Sequence, residues 1–448
     1  MADLYKKIGH PKRLYDAWQH VRASGINSRD FRTSNEIKIF EQNINTHLRK
    51  INDCLKKRNY QFEKARGFTF TKPGKSPRPI VVASICDRIV QRSILGVLNS
   101  QKFIKKYVNH PRSFGGLENK GVRQAIEQVC LAIKNGAKYY LKSDVIEFFR
   151  NIPRKKVLDI LNSNLSDNSL VDILDEATTV ELKNVELMDR LYPDLFPRHE
   201  LGVGQGFCLS PLLANITLLE FDTILNASNV ICIRYIDDFM ILGATAETVN
   251  GGFKKGLKIL KNFELNAYRP DQNKDKSQFG PTKKAFDFLG CAVSPHFVHP
   301  NKKAKKRIIS KAAKILEDSV IGMRRYSKSR KNFDDKHSFS STIRDLHNTV
   351  RAWGNHYSFC NSDSIFNDLD KKIDSMIAKY IKAYDKYKNM LNDSEIRRIF
   401  GVHLLSDSKK DRIYPIKDKP KSHKKANYIS EIELLVKDYD LSAGEDKS

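Results

Sequence analysis

Hydrophobic positions along the 448-residue chain follow three successive rhythms. From residue 1 to about 60 they recur every three or four positions. Leu14, Trp18 and Val21 share one helical face, and Ile37, Phe40, Ile44, Leu48 and Ile51 share another. From 61 to 300 the period shortens to strand-length apolar runs between turn residues. Phe68-Thr-Phe-Thr and Ile80-Val-Val82 flank a Pro73-Gly74 turn, which predicts a hairpin. Tyr139 to Ser143 reads as a strand ending in Asp144, with an apolar helix start after it. Val230 to Ile233 and Met240 to Leu242 read as two buried strands around Arg234-Tyr-Ile-Asp-Asp-Phe239, and an amphipathic helix is expected near Gly121 to Ile133. From Asn301 the helical period returns, rich in lysine, and reaches roughly Lys388. The fold class expected is α+β: a helical extension over 1–60, a mixed domain over 61–300, a helical domain over 301–390 and a basic C-terminal tail over 391–448. No internal repeat is found.

Charge narrows the partners. Lys plus Arg number 79 against 52 Asp plus Glu, a formal net charge of +27. Such an excess suits a polyanion, nucleic acid first and an anionic membrane surface second. No apolar run of about 18 residues occurs and the first residues lack a signal-peptide core, so a soluble cytoplasmic protein without membrane association is expected. The seven cysteines form no Cys-x-x-Cys pair, which argues against a zinc ribbon or disulfide framework and for a reducing compartment.

Candidate chemistry centres on Asp237 and Asp238, adjacent carboxylates between two apolar strands, with Arg234 as their one neutralising neighbour in sequence. Placing such charge above an apolar floor is costly without a partner; the plainer alternative is a polar hairpin turn. Asp144 is a third acid, whose alternative role is a helix N-cap. Phosphoryl transfer requires two divalent cations about 4 Å apart to activate a 3′ hydroxyl and stabilise the leaving pyrophosphate. Asp144, Asp237 and Asp238 are the set that can bridge them, and oxygen-only ligands point to Mg²⁺.

Together these residues resemble the palm of a reverse transcriptase, nearest the group II intron lineage of prokaryotic enzymes. The likeness holds in order along most of the chain. The hairpin Phe68 to Val82 resembles the fingers hairpin over the incoming triphosphate, which implies Lys72 and Arg78 as phosphate contacts; a solvated tip is the alternative. Asp87-Arg88 and Ser113-Phe-Gly-Gly116 match the next motifs. Phe149, five residues beyond Asp144, matches the aromatic that excludes a 2′ hydroxyl, with core packing as its alternative and Phe148 as the better core residue. Gly202-Val-Gly-Gln205-Gly206 through Ser210-Pro-Leu-Leu-Ala-Asn215 resembles the family's nucleotide loop, with Gly204 where proline is usual; Gln205 would bond the incoming sugar or base. Asn273-Lys-Asp-Lys276-Ser277 resembles the family's Asn-x-x-Lys-Thr motif, which implies Lys276 near the triphosphate, with a solvated basic loop as the alternative; Phe286 to Gly290 resembles the primer grip. Arg351-Ala-Trp353 to Tyr357 resembles an element of the thumb, or maturase domain, and Ala17 to Phe31 resembles the N-terminal extension without its usual Asp-Gly.

The resemblance implies a right-hand polymerase with fingers, an antiparallel palm sheet and a helical thumb. It would use Mg²⁺ and dNTPs to copy an RNA template into a DNA product. No endonuclease pattern and no retron Val-Thr-Gly tripeptide is found, so the likeness is to defence-associated, unknown-group enzymes that copy a dedicated non-coding RNA. Two rivals stand beside it: a maturase that folds intron RNA, and template-independent or protein-primed synthesis. The sequence assigns no oligomeric state.

Overall fold

Four helices open the chain in the computed structural model: Leu4–Ile8, Pro11–Gly25, Phe31–Gln42 and Ile44–Lys56. The structure describes residues 3–26, 28, 31–71, 76–117, 119–165, 168–198 and 200–411. Asp3 caps the first helix by accepting from the Lys6 amide at 3.1 Å. Pro11 occupies the first turn of the second, where its missing N–H costs nothing. The predicted faces are the buried ones: Leu14, Ala17, Trp18 and Val21 join Ile37, Phe40 and Ile51 in one core with the helix Ile85–Asn99. Asp87, at that helix's start, accepts from the Tyr60 hydroxyl at 2.9 Å and the Glu63 amide at 3.1 Å, tying the following segment to it.

The strands β1 (Arg66–Phe70) and β2 (Arg78–Val82) form a separate antiparallel ribbon. The main sheet has five strands in the order β3-β5-β6-β4-β7: β3 (Ser113–Phe114), β4 (Tyr139–Asp144), β5 (Ile231–Tyr235), β6 (Asp238–Gly243) and β7 (Gln278–Pro281). It is antiparallel as expected, except that the two-residue β3 lies parallel to β5. Both faces are covered. Leu141, Cys232, Phe239 and Ile241 meet residues of the helices Ser210–Asn226 and Ala246–Lys261 in one core. Tyr140, Ile233, Met240 and Leu242 point the other way, into a core shared with the helix Val122–Lys134 and a three-stranded sheet of β8 (Phe286–Phe288), β9 (Cys291–Val293) and β10 (Val298–Pro300). Double coverage explains why β5 and β6 read as continuous apolar runs rather than as alternation.

Two compact units result, one of Met1–Ala312 with Asn348–Asp374, the other of Ala313–His347 with Ser375–Ser448. The helical extension, the ribbon and the main sheet all belong to the first, while residues 301–390 are shared between the two. Within the second unit Phe339 stacks on Tyr380 and Phe400 at 5.7 Å each, and Ser319 meets the Tyr380 hydroxyl at 3.0 Å. Helices run through most of 302–400, namely Lys302–Ser329, Phe339–His356, Asp363–Lys388 and Asp393–Phe400. Most of the expected C-terminal tail lies outside the described residues. Among the described residues no helix is long and apolar enough to cross a membrane.

Candidate active site

Tyr235 pairs with Asp238, which leaves a two-residue turn of Ile236 and Asp237 between β5 and β6. Ile236 sits at φ 59°, a left-handed conformation that a β-branched residue resists. Three neighbours hold it there. The Ile236 amide donates to the Phe114 carbonyl at 3.1 Å, the Val145 amide to the Asp237 carbonyl at 3.1 Å, and Arg234 Nη1 to the Ile236 carbonyl at 2.9 Å. Gly115, at φ 82°, completes the seat: a Cβ there would stand 2.8 Å from Ile236 Cγ1.

Asp144 closes β4 directly opposite Asp238, and directly opposed residues on one face hold their Cβ atoms roughly 5 Å apart. With Asp237 in the adjoining turn, three carboxylates meet at one end of the sheet. Asp144 caps no helix, because Glu147 precedes the short helix Phe148–Asn151. Burial, then repulsion from Asp144, pushes the Asp237 carboxyl up to about 6. Asp238 opens β6 as an exposed residue; desolvation of its carboxyl, followed by repulsion from Asp237 and Asp144, pushes it up to about 7. The arrangement therefore strains against its own negative charge and calls for cations.

Protein cations already respond. Lys276 Nζ lies 2.5 Å from Asp144 Oδ2; desolvation opposes its charge, but the bond to Asp144 outweighs this and the ammonium titrates above its usual range. Its loop is built locally: Asn273 Oδ1 accepts from the Lys276 amide at 3.1 Å, and the buried Ser277 hydroxyl donates to the Lys142 carbonyl at 3.0 Å. Exposed Arg78, at the start of β2, acts with Lys276 to lower the Asp237 carboxyl. Lys142, two residues before Asp144 and so on its face, adds positive charge near Asp238, although burial holds its own pKa down. The sequence reading passed over this lysine, and the strand period was the signal for it.

Gln205 reaches the same region through β2, since the Val81 amide donates to its carbonyl at 2.8 Å. Gly206, at φ 128°, permits that approach; a Cβ would lie 2.4 Å from the Val81 carbonyl oxygen. Phe149 is half-buried, and its carbonyl accepts from the Val203 amide at 2.8 Å, which sets it beside the Gln205 loop. Phe148 is the ring in the core. Lys72 lies outside the described residues.

Arg234 does not neutralise the acids, contrary to the sequence reading. It opposes Phe239 across the strand pair, which turns its side chain toward the helix Ser210–Asn226, away from the face of Asp144 and Asp238. There it bonds Asp222.

The donor set is all oxygen and converges from β4 and the β5–β6 turn, as a divalent hard cation requires. As the side chains lie, no group of three His, Cys, Asp or Glu among the described residues encloses a metal position. The Asp144 carboxylate is instead engaged by the Lys276 ammonium. That exposed ammonium is a displaceable cation, so the residues fit a metal that would compete for the same oxygen.

Comparison with known proteins gives two family matches. The model described as "Reverse transcriptase (RNA-dependent DNA polymerase)" matches residues 70–293, and "Group II intron, maturase-specific domain" matches 323–400. Protein YkfC of Escherichia coli is 26% identical over 192 residues, 42% of this chain and 48% of that one. Group II intron-encoded protein LtrA of Lactococcus lactis is 24% identical over 223 residues, 49% of this chain and 34% of that one. The matches thus span about half of YkfC and a third of LtrA. A solved structure of apo telomerase from Candida tropicalis aligns at TM-score 0.38 with 14% identity, covering 56% of this chain and 59% of that one.

Proposed function

Because the chain belongs to the reverse transcriptase family, whose model covers half of it, we propose that it is an RNA-directed DNA polymerase with its active site at Asp144, Asp237 and Asp238. The observation that supports this best is the direct opposition of Asp144 and Asp238 across β4 and β6 beside the turn bearing Asp237. The family is generally metal-dependent; Mg²⁺ bound by the three carboxylates would supply charge to lower the pKa of a primer 3′ hydroxyl and stabilise the departing pyrophosphate.

The chain's own residues do the remaining work. Asp144, Asp237 and Asp238 carry the negative charge that would hold the cations, and the raised proton affinity of Asp237 and Asp238 would make that binding compete with acid. Arg78 and Lys72 neutralise the triphosphate of an incoming dNTP. Lys276, bound to Asp144 here, would yield that oxygen to a metal ion and would then be placed for the same phosphates. Gln205 bonds the nucleotide from a loop tied to β2, and Phe149 beside it blocks a 2′ hydroxyl.

The primary test is incorporation of labelled dNTPs on an RNA template. Wild-type protein should extend a primer, and the combined Asp237→Ala, Asp238→Ala variant should not. Full activity in that variant would refute the site. A maturase role is favoured by one specific observation, the maturase-domain match at 323–400; an intron whose splicing needed the protein but not these acids would support it. For biological role we read antiviral defence in the cytoplasm with a non-coding RNA as template, on the motif likeness and the +27 charge. A single short structured RNA should dominate what co-purifies. Its cDNA, together with protection from phage, should vanish in the Asp237→Ala variant.

A further inference from the structure

Arg234 is 0% exposed, and every polar atom of its guanidinium is engaged inside the protein. Nε donates to Asp222 Oδ1 at 2.8 Å and Oδ2 at 3.0 Å. Nη2 donates to Asp222 Oδ2 at 2.6 Å, Ser113 Oγ at 2.6 Å and Asn215 Oδ1 at 3.0 Å. Nη1 donates to the Ile236 carbonyl at 2.9 Å. The bonds therefore reach β3, the helix Ser210–Asn226 and the turn that presents Asp237.

Asn215 and Asp222 are two helical turns apart, which puts both on the face that meets β5. The same helix begins at Ser210, whose hydroxyl donates to the Gly204 carbonyl at 2.8 Å, next to Gln205. One rigid rod thus has the nucleotide loop at one end and the Arg234 cluster along its side. A buried ion pair is weak evidence for stability, since well-packed apolar residues of similar volume often do as well. What an apolar pair cannot do is donate to a carbonyl in a left-handed turn.

We infer that Arg234, held by Asp222, is a positioning residue: it pins the Ile236 carbonyl and so fixes the Asp237 turn relative to the Gln205 loop. The inference rests on the polymerase reading for its catalytic consequence, but its structural half can be measured without activity.

The decisive variant is Arg234→Met combined with Asp222→Leu, which removes both charges at similar volume. Its melting temperature should stay within a few degrees of wild type, whereas kcat for dNTP incorporation should fall about 100-fold, as misplacement of a reacting group predicts. The dNTP KM and RNA affinity should change little, and the Mg²⁺ concentration for half-maximal rate should rise. Amide exchange at Ile236 and Asp237 should quicken. A folded double variant with wild-type kcat, Mg²⁺ dependence and exchange would overturn the proposal. If that variant does not fold, Arg234→Lys serves: it keeps the charge near Asp222 but loses the planar fork. Wild-type kcat and exchange in the lysine variant would equally overturn it. Failure of the wild-type protein to polymerise would sink the polymerase reading alone, leaving the exchange result to decide the positioning role.

Discussion

Two hairpins contribute to the candidate site, and they are built in opposite ways. The β5–β6 hairpin lies inside a five-stranded sheet, and Cys232, Ile233, Met240, Ile241 and Leu242 are wholly buried. Among the described residues the β1–β2 ribbon is a sheet of two strands, and its Phe68 and Phe70 are 40% and 52% exposed. A lone two-stranded ribbon is marginal in water. This one is anchored at its base, where Ala65, Val81, Leu182, Phe196 and Phe207 form a small core and the Asn184 amide exchanges bonds of 3.0 and 2.8 Å with the Gly67 backbone. On the proposed function the difference suits the task of each: like charges at fixed spacing need a rigid, over-determined seat, whereas a cation meeting a substrate needs only a firm base.

That contrast predicts unequal costs. The largest effect belongs to the rigid hairpin's partner strand: Asp144→Asn should lower kcat by about 1,000-fold or more by removing a charge that acts in the transition state, with the fold intact by circular dichroism. Equal losses from Arg78→Ala would break the contrast. Gly115→Ala comes next, because its Cβ meets Ile236 in a backbone region closed to other residues. A destabilisation of about 2 kcal/mol, read from the denaturation midpoint, is expected. Arg78→Ala should then raise the dNTP KM about tenfold, near 1.4 kcal/mol, while leaving kcat within a few-fold and the melting temperature unchanged.

A smaller effect is the pH dependence of the metal-free protein. Asp237 and Asp238 titrate in the folded state at about 6 and about 7, above their unfolded values near 4. The native state therefore holds more protons between about 4 and 7, and this contribution to stability falls as pH rises through that window. Subtracting the melting profile of the Asp237→Asn variant should isolate that fall, and a flat difference would show the acids are not crowded. The least effect is expected of Phe70→Ser on the exposed ribbon, within about 0.5 kcal/mol of wild type.

Where sequence was legible, the reason was local chemistry. Apolar period located the helical faces of Trp18 and Phe40, and strand-length runs located β4, β5 and β6, because each of those signals is spaced along one element. The pairing of Asp144 with Asp238 was reachable only through motif resemblance, since their contact joins strands far apart in the chain. Arg234 was misjudged because adjacency in sequence says nothing about the side of a strand, and its partner Asp222 lies on a helix that shows no acid motif. The parallel β3 was invisible for a simpler reason: two residues make no period.

The strand order also has a temporal meaning. β4 is finished at Asp144, yet its neighbours on either side, β6 and β7, begin at Asp238 and Gln278. At ribosomal speeds of about 5–20 residues per second, several seconds pass during which both edges of an apolar strand lack partners. Unpaired edges invite foreign strands. Cover for those edges over that interval would guard against such pairing, and the carboxylates can come together only once the chain between Asp144 and Asp238 has been made.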